Sequence, residues 1–243
     1  MQFYFIRHGQ SANNLLWDRT GASKGRSHDP ELTETGVQQA RRLARFLSRV
    51  DPDAAANGDA PYNQHNAGGF RLTHLYSSLM VRAVATGIMI AEAIGLPLMA
   101  WEDWHEAGGI YLEDEATGEP VGQPGPNRAY FTQHYPGLQL PETLGEAGWW
   151  NRPFEMPDQR SVRAQRVLRD LIDRHGGADD RVAVISHGGF YNHFMAALLH
   201  LPDRDGVWFM IHNAAVTRID FHSDGVALVY LNRVDFLPPE LIT

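Results

Sequence analysis

The feature that most constrains the fold of this chain is a pair of apolar segments that each end in His-Gly. Residues 3–6 precede Arg7-His8-Gly9, and residues 181–186 precede His187-Gly188-Gly189. Both segments are short and rich in aromatic or β-branched residues, which is typical of buried strands. Open α/β folds bind their ligands at the carboxyl ends of the strands. If the two strands are neighbours, both imidazoles lie at one edge of one sheet.

Strand-like and helix-like patterns alternate along the rest of the chain. We predict strands near His74 and Leu96, helices over 33–50, 79–94, 161–175 and 189–199, and a hairpin of 216–221 with 226–232. This alternation favours an α/β fold, a three-layer α/β/α sandwich with a mostly parallel central sheet. With 243 residues, 43% of them hydrophobic, the chain is long enough to bury one core, so we expect a single domain over 1–243.

Three further residues are candidates for the same sheet edge. Arg82 lies in the first turn of the helix predicted over 79–94, and Glu106 follows the apolar segment 96–101. Asn14 lies a few residues beyond the first His-Gly pair and offers an amide. An arginine in the first turn of a helix points back toward the end of the preceding strand. We therefore expect these side chains near the two imidazoles.

Two stretches interrupt the alternation. Residues 51–70 are rich in Asp, Ala, Asn, Gly and Pro, which predicts a solvent-exposed loop insertion. Residues 107–157 directly follow Glu106, so we expect an inserted lid segment that covers the candidate site. The aromatic side chains of this segment either form a small core of their own or line a substrate pocket; they are Tyr111, Tyr130, Phe131, Tyr135, Trp149, Trp150 and Phe154.

Four motifs occur in an order and spacing that resemble the histidine phosphatase superfamily, also called phosphoglycerate mutase-like. The resemblance covers most of the chain. The matching residues are Arg7-His8-Gly9-Gln10-Ser11 with Asn14; Asp29, Leu32-Thr33, Gly36 and Gln39-Ala40; Ser77-Ser78-Leu79-Met80-Val81-Arg82-Ala83 with Thr86; Ser186-His187-Gly188-Gly189; and Asn213.

The resemblance implies a metal-independent phosphoryl-transfer site with His8 as the nucleophile that forms a phosphohistidine. Phosphoryl transfer spreads negative charge over three oxygens, so catalysis depends on positioning and fixed positive charge. By the same resemblance, the phosphoryl group is bound by Arg7, Asn14, Arg82, His187 and Gly188. With these donors present, we expect no cofactor and no metal.

Glu106 matches the proton donor of the family in its distance beyond Arg82. In that role it protonates the departing alkoxide and then deprotonates the water that hydrolyses the phosphohistidine. Glu102, Asp103 and Glu113 are alternatives for the same role, because they lie close to Glu106 in the sequence.

The segment after Glu106 favours a phosphatase over a mutase. Its basic residues are Arg128 and Arg152, among several acidic ones, and Asn192 stands where relatives often carry an arginine. Such a segment offers few cationic side chains for binding a polyanion. We therefore predict a phosphomonoester hydrolase for a small phosphorylated metabolite, with mutase-type transfer and a non-catalytic phosphate-binding module as alternatives.

Composition argues against several other classes. The net charge of −8 disfavours nucleic acid and anionic membrane partners. No apolar run approaches the ~18 residues of a membrane span. Because cysteine is absent, disulfides and a thiol nucleophile are excluded. The amino terminus lacks a secretory pattern, so we expect a cytoplasmic protein with a small-molecule substrate; oligomeric state is left open.

A serine hydrolase is disfavoured because the Gly21–Gly25 motif lies in a polar loop. A zinc hydrolase is disfavoured because His105-Glu106 lacks a second histidine at helical spacing.

Overall fold

The fold is an α/β sandwich built on one large sheet. The computed structural model describes residues 1–50, 65–202 and 206–243. Its strands are β1 (Gln2–Arg7), β2 (His74–Ser77), β3 (Leu98–Ala100), β4 (Tyr111–Glu113), β5 (Pro120–Gly122), β6 (Leu138–Gln139), β7 (Arg181–Ser186), β8 (Val216–His222) and β9 (Gly225–Arg233). Its helices are α1 (Ala12–Thr20), α2 (Glu34–Leu47), α3 (Val81–Ile94), α4 (Arg128–His134), α5 (Pro157–His175) and α6 (Gly188–Leu198), with short 3-10 turns at Glu102–Trp104 and Pro239–Leu241.

The large sheet has the strand order β6-β3-β2-β7-β1-β8-β9. The pairs β6–β3, β3–β2, β2–β7 and β7–β1 are parallel, whereas β8 is antiparallel to both β1 and β9. The predicted mostly parallel sheet and the late hairpin are confirmed. In the β1–β7 pair, Arg7 lies opposite Ser186, so the next residue of each strand, His8 and His187, leaves the sheet at the same edge.

The side chains of β1 show why the sheet is covered on both faces. Tyr4 and Ile6 pack in a core with residues of α2 and α3, whereas Phe3 and Phe5 pack with residues of α5 and α6. Successive side chains of a strand point to opposite faces, and a strand buried on both faces reads as a continuous apolar run. The predicted three-layer arrangement is confirmed.

The segment 107–157 contributes to the main sheet and core. It contains the β4–β5 hairpin, α4 and β6, and β6 extends the sheet by pairing with β3. Phe131, Trp149 and Trp150 are buried in the same core as α2 and α3. The expectation of a separate aromatic core is therefore wrong for these three residues, because the extended sheet brings them onto its main core.

The predicted loop 51–70 lies largely outside the described residues, since 51–64 are not described. Its described end is anchored in the core, contrary to the expected exposed loop. Phe70 is buried and contacts the rings of Tyr4 and Phe46, and Asn66 donates a hydrogen bond to the Tyr4 hydroxyl at 2.7 Å. Among the helices of the described ranges, none is both long and apolar enough to cross a bilayer.

A buried ion pair ties α5 to the segment that follows β3. Arg163 pairs with both carboxylate oxygens of Glu155, at 2.6 and 2.8 Å, and donates to the carbonyl oxygens of Asp103 and His105 at 2.7 and 3.0 Å. Glu155 also accepts a hydrogen bond from the Gly108 amide at 3.1 Å. Residues 103–108, which carry Glu106, are thus held from both ends by one guanidinium–carboxylate pair.

Removing Arg163 should destabilise the protein strongly. The Arg163→Met variant leaves the Glu155 carboxylate buried without its partner, which typically costs about 3–5 kcal/mol. Arg166→Met is the matched control, because Arg166 pairs with Asp103 while 46% exposed, and such surface pairs contribute about 0–1 kcal/mol. Urea unfolding measures both losses in free energy; equal losses for the two variants would contradict the assignment.

The contact between Gly9 and Gly36 supports a second stability prediction. A Cβ on Gly9 would lie 2.5 Å from the Gly36 carbonyl oxygen, and one on Gly36 would collide with the Gln10 carbonyl oxygen. Alanine normally stabilises a helix interior relative to glycine by about 1 kcal/mol. Gly36→Ala should instead lower the free energy of unfolding by about 1–3 kcal/mol, because it forces two backbone segments apart.

Gly145→Ala is the control for this variant, since a Cβ at Gly145 meets no atom within 4 Å. It should leave the denaturant midpoint nearly unchanged. If Gly36→Ala unfolds at the same denaturant concentration as the unmodified protein, the close approach is not a constraint on the fold.

Candidate active site

His8 is held in one tautomer at the carboxyl end of β1. It is 2% exposed, its Nδ1 lies 2.6 Å from the Gly9 carbonyl oxygen, and its Nε2 accepts a hydrogen bond from Arg82 Nε at 3.1 Å. A carbonyl oxygen only accepts and a guanidinium only donates. The proton is therefore on Nδ1, and Nε2 carries the lone pair.

The surroundings of His8 keep its imidazole neutral. Burial lowers the pKa of His8 well below its usual value, and the charges of Arg82 and Arg7 lower this pKa further, against the opposing hydrogen bond to Gly9. A neutral imidazole is required for nucleophilic attack.

Several residues of the sequence motifs hold the backbone around His8. The carbonyl oxygen of His8 accepts hydrogen bonds from Asn213 Nδ2 at 3.2 Å and from the Ala214 amide at 3.1 Å. The Gly9 amide donates to Thr86 Oγ1 at 3.1 Å. Asn14 belongs to this network, because its Oδ1 accepts from Ser11 and from Asn213 Nδ2 at 3.2 Å. These residues fix the direction of the imidazole.

Arg82 is the second residue of α3 and is oriented by Asp29. Its Nη1 lies 3.4 Å from Asp29 Oδ1, and Asp29 also accepts a hydrogen bond from the Val81 amide at 3.2 Å. Burial raises the pKa of Asp29 to about 7, against the opposing effects of Arg82 and Val81. The pairing turns Arg82 Nε toward His8.

Arg7 and His187 each present a buried nitrogen without a partner among the described residues. His187 follows β7, its ring centroid lies 5.0 Å from that of His8, and its Nε2 is 2.7 Å from Ser78 Oγ. Its Nδ1 has no hydrogen-bond partner, nor has Arg7 Nε. Arg7 Nη1 donates to the Ile211 carbonyl oxygen at 2.6 Å. Burial lowers the pKa of His187 well below its usual value, and Arg82 and His8 lower this pKa further.

Glu106 belongs to the segment 103–108, and its carboxylate lies at the amino end of α6. Its Oε1 accepts hydrogen bonds from the Ala107 and Phe190 amides, both at 2.7 Å, and its Oε2 accepts from the Gly189 amide at 3.1 Å. The side chain is thereby fixed near the His187-Gly188 turn.

A cavity of about 260 Å³ lies over these residues. Four of the predicted site residues line it, namely His8, Asn14, Arg82 and Glu106. Arg7, His187 and Gly188 are not among its lining residues. His187 lies against His8, and a Cβ on Gly188 would lie 3.2 Å from Arg7 Nε, so all seven predicted residues meet in one region.

The three rival acids do not line this cavity. Asp103 pairs with Arg166, and Glu113 accepts a hydrogen bond from Ser23 Oγ at 3.3 Å. Ser23, the centre of the serine-hydrolase-like motif, lines the cavity but lies in the loop after α1, without the preceding strand that the motif requires.

The sequence analysis gave no site role to Ser78, which contacts His187, or to Arg26 and Trp17, which line the cavity. Tyr111 also lines the cavity, as one of the two alternatives for the aromatic side chains of 107–157 predicted. The available signal was weak: Arg26 lies in a polar loop together with Lys24, and α1, which carries Trp17, lacks strong apolar periodicity.

Within the described ranges, one cluster has the composition of a metal site, and it lies away from the cavity. His74, His175 and Asp180 have ligand atoms within 4.8 Å of one another. His74 begins β2 and Asp180 precedes β7, so the cluster is at the opposite edge of the sheet. Hydrogen bonds account for its geometry, since His175 Nδ1 lies 2.7 Å from Asp180 and Nε2 lies 3.2 Å from the Tyr76 hydroxyl.

Two curated relatives match nearly the whole chain. A putative phosphoserine phosphatase 2 of Hydrogenobacter thermophilus is 26% identical over 96% of both chains. A probable phosphoglycerate mutase of Yersinia pestis is 24% identical over 91% of this chain and 85% of its own length.

Two solved structures share the fold. A mycobacterial glucosyl-3-phosphoglycerate phosphatase in complex with VO3 gives a TM-score of 0.59 at 21% identity, covering 96% of this chain and 99% of that one. An Entamoeba histolytica phosphoserine phosphatase in complex with 3-phosphoglyceric acid gives 0.58 at 21% identity, covering 98% and 99%. The sequence profile of the histidine phosphatase superfamily (branch 1) matches residues 3–61 and 63–234. The four motifs predicted the superfamily, and the chain therefore belongs to the histidine phosphatase superfamily (branch 1).

Proposed function

We propose that this protein is a metal-independent phosphatase that hydrolyses a small phosphomonoester through a phosphohistidine on His8. The observation that carries the proposal is the locked tautomer of His8. Its unprotonated Nε2 lies 3.1 Å from Arg82 Nε, and His8 lines one cavity with Arg82 and Glu106. This arrangement supplies a nucleophile, a fixed cation and a proton carrier to one bound phosphate.

In the first step the lone pair of His8 Nε2 attacks phosphorus and the ester P–O bond breaks. Glu106, protonated at this stage, transfers its proton to the departing alkoxide, so an alcohol leaves and a phosphohistidine forms. Arg82 and Arg7 provide guanidinium groups for the equatorial oxygens. The buried unpartnered nitrogens of Arg7 and His187 support the same role, because a phosphoryl oxygen would satisfy donors that otherwise cost about 1–3 kcal/mol each.

In the second step a water molecule replaces the alcohol. Glu106, now ionised, takes a proton from that water while its oxygen attacks phosphorus. The P–N bond breaks, its electron pair returns to His8 Nε2, and inorganic phosphate leaves. Two fixed guanidinium groups supply the positive charge that a metal would provide in other phosphoryl-transfer enzymes.

Hydrolysis is favoured over mutase-type transfer because the segment 107–157 brings no basic side chain to the cavity. Its two arginines have other contacts. Arg128 donates to the Leu144 and Pro141 carbonyl oxygens, and Arg152 lies 4.2 Å over the Trp150 ring. Neither lines the cavity. The names of several relatives are those of phosphatases acting on small phosphorylated metabolites. The predicted cytoplasmic location and the lid role of 107–157 stay predictions.

Trapping of the intermediate tests the proposal. Mixing the protein with a ³²P-labelled phosphomonoester and quenching within milliseconds should give a labelled protein whose phosphate is acid-labile and alkali-stable. His8→Ala should give no label and no turnover, because it removes the imidazole that attacks phosphorus. Its circular dichroism should match that of the unmodified protein.

Two results would overturn this assignment. Labelling that persists in His8→Ala would move the nucleophile to another residue. Isomerisation of 3-phosphoglycerate in the presence of 2,3-bisphosphoglycerate, faster than hydrolysis of any monoester, would make the protein a mutase.

Glu106→Gln should slow the reaction in a way that depends on the leaving group. The amide cannot donate a proton to the alkoxide, so kcat/KM for an alkyl phosphate should fall by about 10²–10⁴. The loss for p-nitrophenyl phosphate should be much smaller, because p-nitrophenolate leaves without protonation. Steady-state kinetics on both substrates measures the difference.

Asp103→Asn and Glu113→Gln are the controls, since both acids lie outside the cavity. They should leave the ratio of the two kcat/KM values unchanged. If Glu106→Gln slows both substrates equally, Glu106 does not act as the proton donor in the first step.

A further inference from the structure

Arg26 is a cation in the cavity without an anionic partner. It lines the cavity together with His8 and Arg82. Its Nε is buried and has no hydrogen-bond partner in the described part of the chain. Within residues 1–50, 65–202 and 206–243, no carboxylate forms an ion pair with it. A buried donor without an acceptor costs about 1–3 kcal/mol, so an acceptor supplied by a ligand at this point contributes strongly to binding.

The Arg26 guanidinium is held in place from two sides. Its Cζ lies 4.2 Å from the centroid of the Tyr111 ring, and Tyr111 packs edge-on against Phe154 at 4.6 Å. The adjacent Ser27 exchanges two hydrogen bonds with Asn13 of α1, at 2.8 and 2.9 Å. A guanidinium fixed in this way loses little conformational freedom when it binds a ligand.

The other guanidinium groups near His8 are engaged differently. Arg82 pairs with Asp29 and contacts His8, while Arg7 donates to the Ile211 carbonyl oxygen. Burial lowers the pKa of Arg82, whereas the charges of Asp29 and Glu106 raise it. The charge of Arg26 has a smaller effect and lowers this pKa as well. Arg26 is thus close enough to act on the same ligand, yet it is not needed for the phosphoryl oxygens that Arg7 and Arg82 bind.

We propose that Arg26 binds a carboxylate of the substrate, and that the substrate is the phosphomonoester of a small organic acid. The inference rests on the proposed function for one point only, that the phosphoryl group binds beside His8. A guanidinium edge matches the two oxygens of a carboxylate. A second phosphate dianion would bring two negative charges to one cation and leave one of them uncompensated. The cavity of about 260 Å³ leaves room for a short carbon chain between the two anionic groups.

A pair of matched substrates tests the proposal. 3-Phosphoglycerate carries a carboxylate where glycerol 3-phosphate carries a hydroxymethyl group. The unmodified protein should prefer the first in kcat/KM, and Arg26→Gln should reduce this preference by about 10- to 100-fold, as expected for a charged hydrogen-bonded pair. The loss should be mainly in KM, because the carboxylate contact is the same before and during the chemical step. Arg26→Lys, which keeps the charge and loses the fork, should give an intermediate preference.

Arg152→Gln is the matched control. Arg152 also lies 4.2 Å over an aromatic ring, that of Trp150, but it lines a different cavity. This variant should keep the preference of the unmodified protein. If it loses the preference as Arg26→Gln does, the effect is general electrostatics and the assignment of Arg26 fails.

Binding measurements separate this inference from the proposed function. Calorimetry with His8→Ala compares 3-phosphoglycerate, glycerol 3-phosphate and 2,3-bisphosphoglycerate without turnover. Tighter binding of 3-phosphoglycerate that is lost in His8→Ala/Arg26→Gln supports the carboxylate subsite, even if the unmodified protein hydrolyses none of the three. Equal binding of the first two ligands, or an Arg26-dependent gain confined to the bisphosphate, would overturn it.

Discussion

The parallel pairing of β1 with β7 is the constraint on which the rest of the site depends. It places Arg7 opposite Ser186, so the histidine that follows each strand lies at the same edge of the sheet. The rings of His8 and His187 then lie 5.0 Å apart, although 178 residues separate them in the sequence (187 − 8 − 1). Because side chains alternate along a strand, a shift of one residue in this register would turn one imidazole away from the other.

Burial of charge around His8 explains why so many polar side chains surround the site. Two guanidinium groups and two imidazoles are removed from water, which favours their neutral forms; the histidines respond by staying neutral. The arginines keep their charge, and oxygen atoms face them in the interior: Asp29 faces Arg82 and the Ile211 carbonyl oxygen faces Arg7. Arg7 Nε and His187 Nδ1, which are buried without a partner among the described residues, reduce stability locally, in the region where the proposed phosphate would satisfy them.

Much of the motif set acts on the backbone rather than on the substrate. Thr86 and Asn213 bind backbone groups of residues 8 and 9, and Gly9 and Gly36 bring two segments into direct contact. On the far side of the cavity, the pair formed by Arg163 and Glu155 holds the segment that carries Glu106. His8 and Glu106 are therefore held by two separate sets of contacts, which agrees with the proposed reaction because phosphoryl transfer depends on positioning.

The amino-acid sequence by itself was enough to predict the mostly parallel sheet and the sandwich, and it pointed to the seven residues that the structure brings into one region. These residues follow local patterns. The histidines end apolar runs, the arginine lies in the first turn of a helix, and the glutamate follows a strand. Each pattern places its side chain at the carboxyl edge of the sheet. Tertiary structure alone decided what lies across the cavity from those residues. Arg26 comes from a loop and Tyr111 from a hairpin, both without apolar periodicity, and they meet only in the folded chain. The neighbouring Ser27 contacts α1, and Ser23 contacts Glu113 of the same hairpin. The core position of Trp149 and Trp150 followed from β6 joining the sheet, a pairing of two residues that is too short to leave a pattern in the sequence.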